Sequence, residues 1–311
     1  MAAHLLTLGI PTRNRAGYLR DLLAALETQV REGGIRPEDF EILVSDNASE
    51  DDTPALVQAV AARVPHVRSV RNPENLGAQG NYHQLVRLAS GRFLWIVGDD
   101  DLLLPGALVH TLESLRADRE LGVLIHFDTR YDPRIRRPQR FDSFRGYVRE
   151  CARVHPHALV EHTLTTSNVY RADAFDPAFA KAHDATDFPH MYGMSQGLKA
   201  AGGAVQVSAH PAIRVRDRRA PAVDGVWPAD LERSWLAYLG WLRDFWEVPE
   251  LRPEAAIEHI RRELVRKITR HPLRYVRDNL PALRQPQAWW WFLKRLLFHS
   301  RNRRDPEGGP T

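Results

Sequence analysis

The chain has 311 residues, enough for a full core, and its 43% hydrophobic and 26% charged residues are an ordinary soluble, globular balance. A formal net charge of +4 hides an uneven distribution: acidic residues gather between Glu38 and Asp52 and arginines from Arg252 onward, which points to an anionic surface partner at the C-terminal end. The one cysteine, Cys151, excludes an intrachain disulfide; no basic segment precedes the first apolar run, so no signal peptide is read there, and no window approaches the ~20 apolar residues of a spanning helix.

Leu5 to Ile10 reads as a buried strand, and Leu19, Leu22, Leu23 and Leu26 place a helix over Ala16 to Val30. Glu41 to Ser45 is a second strand. Thr53 and Pro54 look like the cap and first position of a helix running to Val64. A strand over Val67 to Val70, a helix over Gln79 to Ala89 and a strand over Arg92 to Val97 follow, then a helix from Pro105 to Arg116 and a strand from Val123 to Phe127. Such alternation predicts a parallel sheet covered on both faces, with ligands beyond the carboxyl ends of the strands. Asp132 to Arg140 reads as an exposed loop, Thr165 to Tyr170 as one more strand, and Pro189 to Ala201 as a helix ended by Gly202-Gly203. From Pro228 the sequence is helical, with Trp235, Tyr238, Leu239 and Leu242 on a core face, and 302–311 reads as a disordered tail.

The chemistry concentrates in Asp99-Asp100-Asp101, directly after an apolar strand. Three adjacent carboxylates there repel one another unless a cation shares them, and a divalent ion bound to a diphosphate uses one or two protein carboxylates. Capping of the following helix explains only one of the three, Asp101. Asp46, closing the second strand, suits a ribose hydroxyl or base N–H, and equally an Asx-turn. Asn72 to Ala78 puts Asn75 and Gly77 before a helix N-terminus, a weak phosphate signal that turn chemistry also explains.

Four ordered blocks resemble family 2 glycosyltransferases: Gly9-Ile10-Pro11-Thr12-Arg13-Asn14-Arg15; Val44-Ser45-Asp46-Asn47-Ala48-Ser49 running on to Thr53; Asn72-Pro73-Glu74-Asn75-Leu76-Gly77; and Gly98-Asp99-Asp100-Asp101-Leu102-Leu103-Leu104-Pro105. The Gly-Asp-Asp-Asp form with Ser-Asp-Asn-Ala-Ser most resembles the branch of abequosyltransferase-like enzymes of bacterial surface polysaccharides. The resemblance covers about residues 5 to 125 and implies an α/β GT-A fold, a mixed sheet flanked by helices with a helical C-terminal extension. It also implies a nucleotide-sugar donor, inversion at the anomeric carbon and Mn2+ or Mg2+. By motif position Pro11, Thr12, Asn14, Arg15, Asp46, Asn75, Gly77 and Asp99 would bind the donor and Asp100 and Asp101 the metal. The commoner pattern has an aspartate at Gly98, which leaves the ligand among the three open.

Inversion needs a general base to take the acceptor's proton. The family usually supplies an aspartate from a Glu-Asp pair at a helix start; this chain has His183-Asp184-Ala185-Thr186-Asp187-Phe188-Pro189-His190 instead. Asp187 ranks first as base, ahead of His190, whose free pKa is near neutrality, and Asp184; a cap role for Asp187 is the plain alternative.

The expected organisation is a catalytic domain over 1–225 (1–128 for the nucleotide-sugar, 129–225 for the acceptor), a helical region over 226–301 and the tail. Residues 288–304, with Trp289, Trp290 and Trp291 beside Lys294, Arg295, Arg301, Arg303 and Arg304, suit an anionic membrane surface, which a lipid-linked saccharide acceptor would share. The expectation is therefore a cytoplasmic sugar transferase, peripheral on the inner face of the cell membrane, acting in surface polysaccharide biosynthesis. A nucleotidyltransferase is set behind it, because Gly9 to Arg15 lacks repeated glycines. A basic nucleic-acid-binding protein comes third, because nothing in the first half needs that role.

Overall fold

The computed structural model describes residues 4–126, 139–156, 158–214 and 229–258. Strand β1 (His4–Thr12) leads into α1 (Ala16–Glu32), then β2 (Phe40–Asp46), α2 (Thr53–Ala61), β3 (Val67–Arg71), α3 (Gly77–Leu88) and β4 (Gly91–Ile96). After the acidic triplet come the short β5 (Leu102–Leu103), α4 (Ala107–Ala117) and β6 (Leu121–Ile125). The second half holds β7 (Gln139–Phe141), α5 (Phe144–Val154), α6 (Ala158–Glu161), β8 (Asn168–Arg171), α7 (Pro177–Ala182), α8 (Pro189–Ala201), β9 (Ala204–Val207), β10 (Ile213–Arg214) and α9 (Ala229–Phe245).

The main sheet has eight strands in the order β3-β2-β1-β4-β8-β6-β9-β7. From β3 to β4 all pairings are parallel, as the alternation predicts, and all four carboxyl ends lie on one edge. The mixed sheet that the family resemblance implies sets in at β8, which pairs antiparallel with both β4 and β6, where strand–helix alternation alone predicts parallel strands. A long-range tether accompanies the reversal: the turn Thr165–Ser167, which feeds β8, is bonded just past the carboxyl end of β4, where Thr166 Oγ1 accepts from the Gly98 amide. Residues 165–167, expected as strand, form that 3-10 turn.

The leucines of α1 are buried against β1, α2 and α4 on one face of the sheet. On the other face α3, α5, α7, α8 and α9 share a second core. Trp235, Tyr238, Leu239 and Leu242 of α9 are buried in it, so over its described part the 226–301 region adds to the same core.

Helix starts differ from expectation. Thr53 does not cap α2; it is its first residue, and Asp51 accepts from the Thr53 amide through Oδ1 and from the Ala16 amide through Oδ2. One carboxylate thus serves the first turns of two helices at the same rim, where negative charge also meets the helix dipoles. Arg140, expected in a loop, lies in β7 and is paired with Asp118, Glu120 and Asp142. The segment 127–138, the stretch 288–304 expected at a membrane surface and the tail 302–311 lie outside the described residues.

Candidate active site

The carboxyl edge of β1, β2 and β4 carries Thr12, Asp46 and, just past Ile96, Gly98 to Asp101. Asp99 is 2% exposed; its Oδ2 accepts from Thr12 Oγ1 at 2.8 Å and its Oδ1 from Arg15 Nη1 at 2.9 Å. The same Arg15 nitrogen is 3.7 Å from Asp100 Oδ2. Asp101 turns the other way: its amide donates to Gly98 O, and its Oδ2 accepts from Thr166 Oγ1. Each carboxylate of the triplet therefore meets a cation or donor, Arg15 beside Asp99 and Asp100 and Thr166 Oγ1 on Asp101, which offsets the predicted repulsion. Asp101 does not cap α4, whose cap position is Gly106 with no side-chain bond.

Gly98 explains the departure from the commoner motif. A Cβ there would lie 2.9 Å from Asp100 Oδ1, too close without a shift of that side chain, and 3.1 Å from Asp101 Oδ2, a tight contact. Glycine at 98 thus leaves room for these two carboxylates beside the backbone.

Asp46 meets both of its readings. Oδ1 accepts from the Ser49 amide at 3.0 Å, an Asx-type turn, while Oδ2 is buried without a hydrogen bond, 3.5 Å from Arg71 Nε. A buried carboxylate oxygen lacking a donor is costly, and a ligand hydroxyl or N–H on this edge would satisfy it. Arg71, at the carboxyl end of β3, went unnoticed in the sequence although its place at a strand end marked it.

Other expected binders also hold bonds within the scaffold. Asn14, at φ 52°, accepts from the Glu50 amide, and its own amide donates to Ser49 Oγ. Asn75 Oδ1 accepts from Asn47 Nδ2 and the Gly77 amide, and the Gly77 carbonyl also holds Asn47. Asn47, Asn72 and Asn81 continue that network. Turn chemistry accounts for this loop, which sets the start of α3 beside Asp46. Pro11 pairs with Ser45 in the sheet.

In the segment expected on the acceptor side, Asp187 is exposed, and it does not cap α8; the cap position is Phe188, with no side-chain bond. Asp184 Oδ1 accepts from His83 Nε2 at 2.7 Å, a partner on α3 that no sequence spacing announced. His190 is 8% exposed, and its Nε2 donates to the Thr163 carbonyl. Burial pushes its imidazole down to about 4, against the Thr163 bond, so it is not the near-neutral base expected from its free pKa. Thr163 in turn accepts from Trp235 Nε1, and three residues on Thr166 receives the Gly98 amide. One short segment therefore joins α8, α9 and the acidic loop. Thr166 carried no sequence signal.

Among the described residues no three His, Cys, Asp or Glu side chains are arranged to hold an ion. The donor set fits a magnesium- or manganese-type ion all the same, because such an ion takes one or two hard carboxylates and completes its shell with substrate phosphates and water. Asp100 has its Oδ1 against Gly98 and its Oδ2 toward Arg15.

The sequence model described as Glycosyl transferase family 2 matches residues 7–178, more than half the chain. The chain belongs to that family. The abequosyltransferase RfbV of Salmonella typhimurium is 33% identical over 138 residues, 44% of this chain and 40% of that relative. The GalNAc(5)-diNAcBac-PP-undecaprenol beta-1,3-glucosyltransferase of Campylobacter jejuni is 34% identical over 100 residues, 32% of this chain and 30% of its own length. The matched stretches thus span less than half of either family 2 relative. The mannosyltransferase PcManGT of Pyrobaculum calidifontis, solved with GDP-Man and Mn2+, superposes with a TM-score of 0.51 at 17% identity, covering 97% of this chain and 88% of that one. TarS of S. aureus, solved with UDP-GlcNAc, gives 0.51 at 16% identity over 94% and 79%. These likenesses establish the GT-A fold. Family 2 membership supports neither the nucleotidyltransferase nor the nucleic-acid reading. No helix among the described residues is long and apolar enough to cross a membrane.

Proposed function

We propose that this chain is an inverting, divalent-metal-dependent glycosyltransferase that moves a sugar from a nucleoside diphosphate donor to a saccharide acceptor, lipid-linked, in surface polysaccharide biosynthesis. The observation that carries it is the convergence of Asp46, Thr12, Arg15, Asp99 and Asp100 on one sheet edge, within a chain of family 2. RfbV and the Campylobacter enzyme, by name a sugar transferase and a transferase to a PP-undecaprenol saccharide, support the reaction class and the lipid-linked acceptor.

In this reading Asp46 Oδ2 accepts from the ribose or base of the donor, and Asp99, fixed by Thr12, sits under the ribose or sugar. Asp100 holds Mn2+ or Mg2+ as the first ligand, with Asp101 behind it, since Thr166 already engages one Asp101 oxygen. A divalent ion held by these carboxylates would offset the charge on the departing diphosphate. Asp187 accepts the acceptor hydroxyl's proton as that oxygen attacks the anomeric carbon from the opposite side. It is preferred to Asp184, committed to His83, and to His190, whose lowered pKa makes it a weak base. The 288–304 stretch brings the enzyme to the anionic surface where the acceptor resides; replacing Trp289 to Trp291 by alanine is expected to abolish sedimentation with anionic vesicles.

Turnover of a nucleotide-sugar panel, with and without Mn2+, on the wild type and Asp100→Ala tests the reading. Metal-dependent release of nucleoside diphosphate, falling by about a hundredfold or more in the variant, is the expected result. Undiminished, metal-stimulated turnover by the variant would remove Asp100 from the metal site.

A further inference from the structure

Arg15 stands where the chain's own charge and the donor's would compete. Its Nη1 is 2.9 Å from Asp99 Oδ1 and 3.7 Å from Asp100 Oδ2. Its backbone is pinned: the Arg15 amide donates to Thr53 Oγ1 and the next amide, Ala16, to Asp51. Its side chain is 43% exposed, against 3% for Asp99 and 12% for Asp100. A long side chain on a fixed backbone, open to solvent on one side, can change partner by rotamer alone.

We propose that Arg15 is an exchangeable counter-ion: it neutralises Asp99 and Asp100 while the donor is absent, and turns onto the donor diphosphate when a divalent ion takes its place at Asp100. The inference rests on the donor-site reading and deepens it, giving one side chain two successive partners.

Three arguments carry it. A divalent ion on Asp100 would lie within a few ångströms of the guanidinium, and like charges that close repel, which weakens the hold of Arg15 on that carboxylate. A planar guanidinium matches carboxylate and phosphate oxygens equally well, which makes the exchange one of like for like. Asp99 keeps its bond from Thr12 Oγ1 when the guanidinium leaves.

The test separates the two partners. Mn2+ alone is titrated into wild type and Arg15→Ala, followed by calorimetry or by the EPR signal of free Mn2+; UDP, GDP and CDP are then titrated at saturating Mn2+. Removing the competing charge is expected to tighten Mn2+ binding about tenfold, while loss of the phosphate partner weakens the nucleoside diphosphate about tenfold. Opposite signs are the signature. Weakening of both would make Arg15 a structural brace, and unchanged Mn2+ affinity would make it a plain phosphate ligand; either overturns the exchange. Arg15→Gln repeats the measurement if the alanine variant melts early. If the wild type binds none of UDP, GDP and CDP with Mn2+, the donor-site reading falls and the exchange with it.

Discussion

Thr166→Val is the substitution that tests how the acidic loop is held. Valine keeps the volume of threonine and removes one hydroxyl, which in the wild type donates to Asp101 Oδ2 and accepts from the Gly98 amide at 3.1 Å. Thr166 is 3% exposed, so water does not readily replace what is lost. A hydrogen bond to a charged group is worth about 2 kcal/mol and a buried, abandoned N–H costs about 1 kcal/mol, giving a loss of about 3 kcal/mol. At ~2 °C per kcal/mol for a domain of this size, melting should fall by roughly 6 °C. The Trp95 Nε1 bond to the Thr166 carbonyl is untouched, so the turn itself survives and the damage falls on Gly98 and Asp101. Calorimetric melting and Mn2+-dependent nucleotide binding should both suffer. A shift under 1 °C with unchanged Mn2+ affinity would refute the claim that this hydroxyl organises the loop.

Four further outcomes are expected. Gly98→Asp, which restores the commoner motif residue, should lower Mn2+ affinity, because its Cβ lands on the carboxylates of Asp100 and Asp101; tighter Mn2+ binding would show that the loop relaxes freely. Gly197→Ala would place its Cβ on the Ala174 carbonyl, where α8 crosses the Ala172–Ala174 turn, and should cost about 3 kcal/mol or more by chemical denaturation. Burial lowers His126 and His162 to about 3 and His190 to about 4. Their unfolded forms take up protons near pH 6.5 while the folded forms do not, so stability should fall as pH drops from about 6.5 toward 4, by about 4 kcal/mol per pH unit when all three contribute. Flat stability over that window, by urea unfolding, would contradict it. Glu41 is the opposite case among carboxylates: burial raises its pKa, but bonds from Thr7, Ser90 and Arg68 outweigh burial and hold it below the usual range. Its contribution is present above the unfolded carboxylate pKa and is lost as pH falls through the lower folded one, so Glu41→Gln should destabilise at pH 7 and matter less in strong acid.

The half of the fold nearest the N-terminus was legible because its signals are local. Leu19, Leu22, Leu23 and Leu26 announce a helix face, and continuous apolar runs announce strands buried on both sides. The direction of β8 was not legible in the alternation, since it goes with a long-range tether, Thr166 lying 68 residues from Gly98. Site residues divide in the same way. Asp46 and the triplet stood out by their place at strand ends. Asn14 and Asn75 looked like ligands, yet their carbonyl oxygens face backbone amides, and an asparagine's partner cannot be told from its neighbours in sequence. Arg71 and His83 acquire a role only when β3 meets β2 and α3 meets the 183–187 loop.

The most direct measurement is calorimetric titration of UDP, GDP and CDP into wild type and Asp100→Asn, each with and without Mn2+. The account expects one nucleoside diphosphate to bind one site per chain only with Mn2+, and to lose that binding in the variant. Equal affinity with and without the ion, or an unaffected Asp100→Asn, would contradict a diphosphate held through a cation on this acidic rim.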